Sequence, residues 1–168
     1  MPESVTIGER ELLVSTLNTQ REHVLGILEG LSDDALRRAM LPSGWTLLGL
    51  VQHLAIDVER FWFRVIMAGE SIGAGEYSAA SGWVVAADVA AETVFDVYRR
   101  EIDLANAIVD ARSLDTPPAA WPVERWPNWR FENLRELMLH VIAETAVHAG
   151  HADAVRELID GRQWLVIG

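Results

Sequence analysis

The sequence predicts an all-α fold, a four-helix bundle with long crossover connections, on three observations. Every apolar segment longer than ten residues repeats at steps of three and four, the period of a helix with one buried face. Capping residues stand at the starts of these segments, and Gly at several ends. Between them lie two long stretches, one rich in Gly and Ser and one rich in Pro and Trp, too long for tight turns between antiparallel neighbours.

The first helix is expected from about Gly8 to Glu29, with Leu13, Leu17, Val24, Ile27 and Leu28 on its apolar side and Gly30 as its stop. His23 lies among Gln20, Arg21 and Glu22, which reads as a solvated face with a structural or surface role. SDDALRRA follows as a short helix capped by Ser32, and PSG at 42–44 breaks the chain. Thr46 caps a second long helix running to about Ala68, with a seam of Leu47, Val51, Leu54, Val58, Phe61 and Val65. On an ideal wheel His53 sits off that seam, beside Leu50, Asp57 and Arg64. Asp57 is placed either to orient its ring or to form a surface ion pair with it.

Residues 69–87 form the first connection. Asp88 is expected to cap a third helix to about Asp110, with Val89, Thr93, Val97, Ile102, Ala105 and Ile108 facing the core. Residues 111–132 form the second connection, holding Pro117, Pro118, Pro122 and Pro127 with Trp121, Trp126 and Trp129. Aromatics at that density either roof a pocket or plug the end of a bundle, and the plug is the commoner arrangement. Asn133 with Glu136 resembles a capping box opening the last helix, and Gly161 ends it. No repeat or linker divides the chain, so residues 1–168 are expected to form a single domain.

The last helix carries the chemistry. His140, Glu144, His148 and His151 are spaced four, four and three residues apart, so their side chains fall within roughly 80° of arc at ~100° per residue. That arc borders the stripe of Leu134, Met138, Val141, Thr145, Ala152 and Ile159. Burying such a row is costly unless its members are partnered. Each histidine is then neutral and hydrogen-bonded in the core, or imidazole and carboxylate one turn apart close on a divalent ion with a third ligand from elsewhere.

Composition narrows the partners. Half of the chain is hydrophobic, with seven Trp, and the length suffices for a real core. A net charge of −11 argues against nucleic acid, whose phosphates need clustered Lys and Arg. There is no Cys, hence no disulfide framework and no protein thiol nucleophile. That, with an N-terminus lacking signal-peptide character and no apolar run near the ~18 residues of a membrane span, suits a cytoplasmic protein.

Three stretches carry a family resemblance: SGWTLLGLVQHLAIDVERFWF at 43–63, LRELMLHVIAETAVHAGHADAVRELIDG at 134–161, and QREHVLGILEGLSDDALRR at 20–38. Together they resemble the DinB-like superfamily, closest to its actinobacterial branch of largely uncharacterised and mycothiol-linked proteins. The similarity is weakest over 70–130. The resemblance implies a four-helix bundle whose metal ligands come from two helices, one His on the second helix and a His-x-x-x-His pair on the last. His53 and His148 match two of those positions. Glu144 stands where the third histidine usually is, similar to the two-His, one-Glu zinc set of mycothiol-dependent maleylpyruvate isomerase. The implied ligands are therefore His53, Glu144 and His148, each about 2.0–2.2 Å from a zinc ion, with nickel as the alternative metal. His151 is a candidate fourth ligand or water-orienting group, and His140 a buried residue behind the ligands.

Three protein ligands leave an open position, the mark of a catalytic site. A thiol entering it is deprotonated. With no Cys, the thiol must come from mycothiol or another low-molecular-weight thiol. The expected activity is metal-dependent thiol S-transfer to an electrophilic substrate, or thiol-assisted isomerisation. Metal-dependent hydrolysis and a non-catalytic metal-binding stress or scaffold protein are the alternatives. Arg64, Arg125 and Arg130 are available to the thiol's tail, and nothing in the sequence selects among them. The resemblance also implies a homodimer, with Ile56, Phe63 and Ile66 on the back of the second helix as the contact.

Overall fold

The computed structural model describes residues 7–71 and 82–164, so part of the first connection lies outside the described residues. Every regular element among those residues is helical, with no strand among them. α1 spans Glu9–Leu28, α2 Asp33–Leu36, α3 Leu47–His53, α4 Ala91–Asp110 and α5 Leu134–Asp160. α3 runs directly into a π-helical segment, Leu54–Met67. α1 packs chiefly on α5, and the π-helical segment packs on α4 along one flank and α5 along another.

The caps follow from local chemistry. Ser32, Thr46 and Asn133 each accept a hydrogen bond from the backbone N–H three residues on. Glu136 reaches back to the N–H of Glu132 at 2.9 Å, completing a capping box one residue beyond its usual place. Gly30, Gly69 and Gly161 take left-handed backbone after α1, the π-helical segment and α5. α4 departs from expectation: it starts at Ala91, and no side chain caps it, Asp88 included. Thr93 is exposed, and Val94 and Tyr98 take the core positions instead.

The second helix is not α-helical to its end. From Leu54 the backbone widens, and its last turn closes from the Ala68 N–H to Phe63 O, five residues back, at 2.9 Å. Wide turns are rare at this length and tend to mark functional segments. They also rotate side chains off the α wheel. Phe63 and Ile66, expected on an exposed back, are fully buried, and Ile56 is half-buried, so this face is not the free dimer contact that the wheel implies. A helix packed on two flanks buries more of its circumference, and the wider turn brings Glu59, Phe61, Trp62 and Phe63 inward together.

Two expectations for α1 are also corrected. Arg21 and His23 are not solvated: they are 2% and 3% exposed. The chain after Gly161 folds back, and the Trp164 indole stacks on His23 at 5.4 Å and lies where a side chain on Gly26 would be. Asp153, from α5, approaches His23 Nε2 at 3.4 Å. Arg21 grips Glu59 through two hydrogen bonds of 2.6 and 2.7 Å and also donates to Asn18 and Asn106. Thus one guanidinium ties α1 to the π-helical segment and to α4.

A buried ion pair adds little beyond an apolar pair, but removing one member strands the other. Glu59→Ala is therefore expected to lower stability by about 3–5 kcal/mol in urea unfolding. A loss below about 1 kcal/mol would show that Arg21 finds another partner or water.

Candidate metal centre

His53 is the last α-helical residue before the backbone widens, so the helix turn that aims it differs from the one that follows. Its Nδ1 lies 2.9 Å from Asp57 Oδ2, one turn on. A carboxylate acceptor there places the ring proton on Nδ1 and leaves Nε2 unprotonated. Across the interface, α5 presents Glu144 and His148 on one face. The rings of His53 and His148 meet edge-on at 5.0 Å. The structure brings together one ligand atom from each of His53, Glu144 and His148, all within 4.8 Å of one another. His53 is thus turned toward the last helix.

His151 is not part of that group. It is exposed, its ring 5.6 Å from His148 and 6.3 Å from Trp45. His140 is half-buried one turn before Glu144, with Trp62 edge-on at 4.8 Å and Phe131 at 5.1 Å. Burial pushes its imidazole below the ordinary range, so it is neutral at pH 7.

The three convergent groups suit a divalent ion. Two imidazoles and a carboxylate are a zinc-type donor set. His148 Nδ1 is buried with no hydrogen-bond partner, and its Nε2 is 3.5 Å from Glu144 Oε2, longer than a good hydrogen bond. Burial, then the adjacent His53, holds His148 down to about 4, so it offers lone pairs rather than a charge at neutral pH. Ligands about 2.1 Å from one tetrahedral ion sit roughly 3.4 Å apart. The three ligand atoms lie within 4.8 Å of one another, so a shared ion would draw them closer.

A cavity of about 340 Å³ opens beside this group, reaching from His53 and Glu144 to Trp126 and Trp129 of the second connection, with His140 and Arg125 on its walls. Trp62 is the hub beneath it: Trp126 stacks on it at 5.5 Å, and Phe61 and Phe131 meet it edge-on. The connection is pinned by backbone bonds from Ala119 and Ala120 to the carbonyls of Met67 and Ile66 at the end of the π-helical segment. The Trp loop therefore does more than plug the bundle; it walls a pocket at the candidate ligands. Of the three arginines, Arg64 is committed to Glu70 and Glu101. Arg125 lies over the Trp126 ring at 4.7 Å, on the cavity.

Sequence reasoning missed Trp83, which stacks on His53 at 4.1 Å and meets His148 edge-on at 5.6 Å. Its placement depends on Gly49, since any side chain there would strike the Trp83 carbonyl. Gln52 donates to Val84 O at 3.0 Å and holds the same strap across α3. The only signal was a lone Trp in a stretch of small residues.

A helical bundle that gathers two imidazoles and a carboxylate from two helices beside an aromatic cavity has the design of a DinB-like protein. Residues 12–161 match the model of the mycothiol-S-transferase family, part of that superfamily, and the chain belongs to this family. No curated protein matches it. Among the described residues no helix is long and apolar enough to cross a membrane.

The His148 shift has a signed consequence. Its folded value of about 4 lies below the ordinary 6.5, so the unfolded chain binds more protons between those values. Stability of chelator-treated protein should therefore fall as pH drops from about 6.5 toward 4. His148→Gln should flatten that part of the thermal-midpoint profile. Parallel profiles for the two proteins would contradict the shift.

Proposed function

We propose that the protein is a metal-dependent S-transferase that joins a low-molecular-weight thiol, mycothiol in particular, to an electrophile. The observation that carries the reading is the convergence of His53, Glu144 and His148, with His53 and Glu144 on the wall of the Trp-lined cavity. Family membership supports the thiol, and the absence of Cys requires that the thiol come from outside the chain.

His53, Glu144 and His148 are the residues that would hold the ion. A divalent ion such as zinc held by these residues would supply the positive charge that favours the thiolate form of a thiol. Asp57 keeps His53 in the tautomer whose Nε2 can ligate. Trp83 stacks on His53, and Trp62 meets His140 edge-on, so each indole covers part of one imidazole. His140, neutral on the same cavity, is placed to take up the thiol proton at a ring nitrogen. With 1-chloro-2,4-dinitrobenzene as electrophile, a sulfur–carbon bond forms, chloride leaves with its electron pair, and the thiol proton passes through His140 to solvent. A capped, non-catalytic site would need a fourth side chain, and the exposed position of His151 outside the convergent group supports an open one.

Mass-spectrometric metal analysis tests the ligand set. Wild type and His151→Ala should retain about one divalent ion per chain, and Glu144→Ala should lose it while keeping helical circular dichroism. Asp57→Ala should weaken metal affinity by roughly 10–100-fold. Mycothiol-dependent loss of 1-chloro-2,4-dinitrobenzene should vanish with the metal. Full metal content in Glu144→Ala with loss in His151→Ala would move the third ligand and overturn the assignment.

A further inference from the structure

The C-terminal end of α1 borders a cavity that shares no lining residue with the one at the candidate metal centre. It measures about 540 Å³ and lies between the last turn of α1, α2 and the first half of α4. Its floor is apolar. Leu28 and Leu36 are buried there, while Leu25, Leu31 and Phe95 are only partly covered. Gly26, Gly30 and Ala91 line it with no side chain or a single methyl, and the space beside Gly30 is open.

We propose that this cavity binds a hydrophobic primary amine, its apolar body on the leucines and Phe95 and its ammonium group at the end of α1. The site is independent of the thiol chemistry argued above. Its first support is the helix end itself. α1 has 20 residues and no basic residue in its last turn, so no side chain there offsets the partial negative charge of its carbonyls. The Glu29 N–H turns back to Gly26 O at 3.3 Å, and the Leu25 carbonyl loses its usual donor four residues on. Neither the Gly30 carbonyl nor the Glu29 carboxylate accepts a hydrogen bond among the described residues. Three acceptors on neighbouring residues match an ammonium group, which donates three hydrogen bonds and accepts none.

The second support is the charge of the wall. Glu29, Asp33 and Glu92 line the cavity against one guanidinium, Arg99. Arg99 is held by Glu92 at 2.8 Å and Asp96 at 3.0 Å, and it lies over the Phe95 ring at 5.8 Å. The aromatic face at this cavity thus already takes a cation. Arg37 pairs with Asp33, and Arg156 and Arg162 donate to the carbonyls of Ile27 and Glu29, but none of these three lines the cavity. The chain as a whole carries a charge of −11, which also favours a cation. A carboxylate ligand would meet three acidic side chains, and a purely apolar one would leave the acceptors at the helix end unpaired. The volume lies within the range of small-molecule sites.

A matched set of probes tests the site. Backbone amide shifts of isotope-labelled protein are followed while 4-phenylbutylamine, 4-phenylbutanol and 4-phenylbutanoate are each titrated in. The amine should bind most tightly and the carboxylate at least about tenfold more weakly, with the shifts gathered at Gly26, Gly30 and Ala91. Glu29→Gln, a change at an exposed and unpaired side chain, should weaken the amine up to about fivefold and leave the alcohol unchanged. Ala91→Phe should weaken amine and alcohol together by filling the cavity, and thermal melts check that both variants fold. His148→Ala, which removes a candidate metal ligand, should bind the amine as wild type does. Equal affinity for the three probes, or amine binding without shifts at Gly26 and Gly30, overturns the site. So does amine binding that is lost in His148→Ala and kept in Ala91→Phe, which would place the amine at the metal centre.

Discussion

The structure turns on one constraint: the second long helix must face α4 and α5 at once. Leu47–His53 meets that demand as an ordinary α-helix. Beyond it, Glu59 and the aromatic run Phe61, Trp62 and Phe63 all have to go inward, and an α-helical turn cannot aim them all at once. The backbone widens instead. Glu59 then reaches Arg21 on one side, while Trp62 supports the aromatic loop on the other. His53 stands at the junction, so its aim toward α5 is held by the regular turn behind it and the wide turn ahead.

The electrostatics of the two regions differ for the same reason. The charged pair deep in the bundle is tightly matched, Arg21 against Glu59, with Arg60 and Arg64 on Glu101 further along. Such matched pairs fix register rather than chemistry. Around the candidate ligands the balance is left open: burial lowers the affinity of His148 and His140 for a proton, and His148 has an unpartnered nitrogen. Side chains held short of their usual partners are what a ligand site requires, and rigid helices keep them so.

Much of this was legible in the sequence. The helix starts at Ser32, Thr46 and Asn133 and the glycine stops obey local backbone chemistry, which needs no tertiary information. The spacing of Glu144 and His148 on one helix was readable too. His53 was not chosen by its wheel position; resemblance supplied it, because the change of helix type after it is set by packing. The same blindness hid the burial of Phe63 and Ile66. His23 was misread because the chain after Gly161, distant in sequence, folds back to cover it. Trp83 required knowing that Gly49 lets another segment cross α3, which no periodicity reports.

The central claim is that two imidazoles and one carboxylate hold a divalent ion with a position left for the thiol. X-ray absorption of the zinc-loaded protein, before and after mycothiol is added, tests it most directly. The claim predicts a first shell of nitrogen and oxygen alone, containing two imidazoles, that gains a sulfur scatterer at about 2.3 Å with the thiol. A shell with three imidazoles, or one that gains no sulfur when mycothiol is in excess, would contradict it.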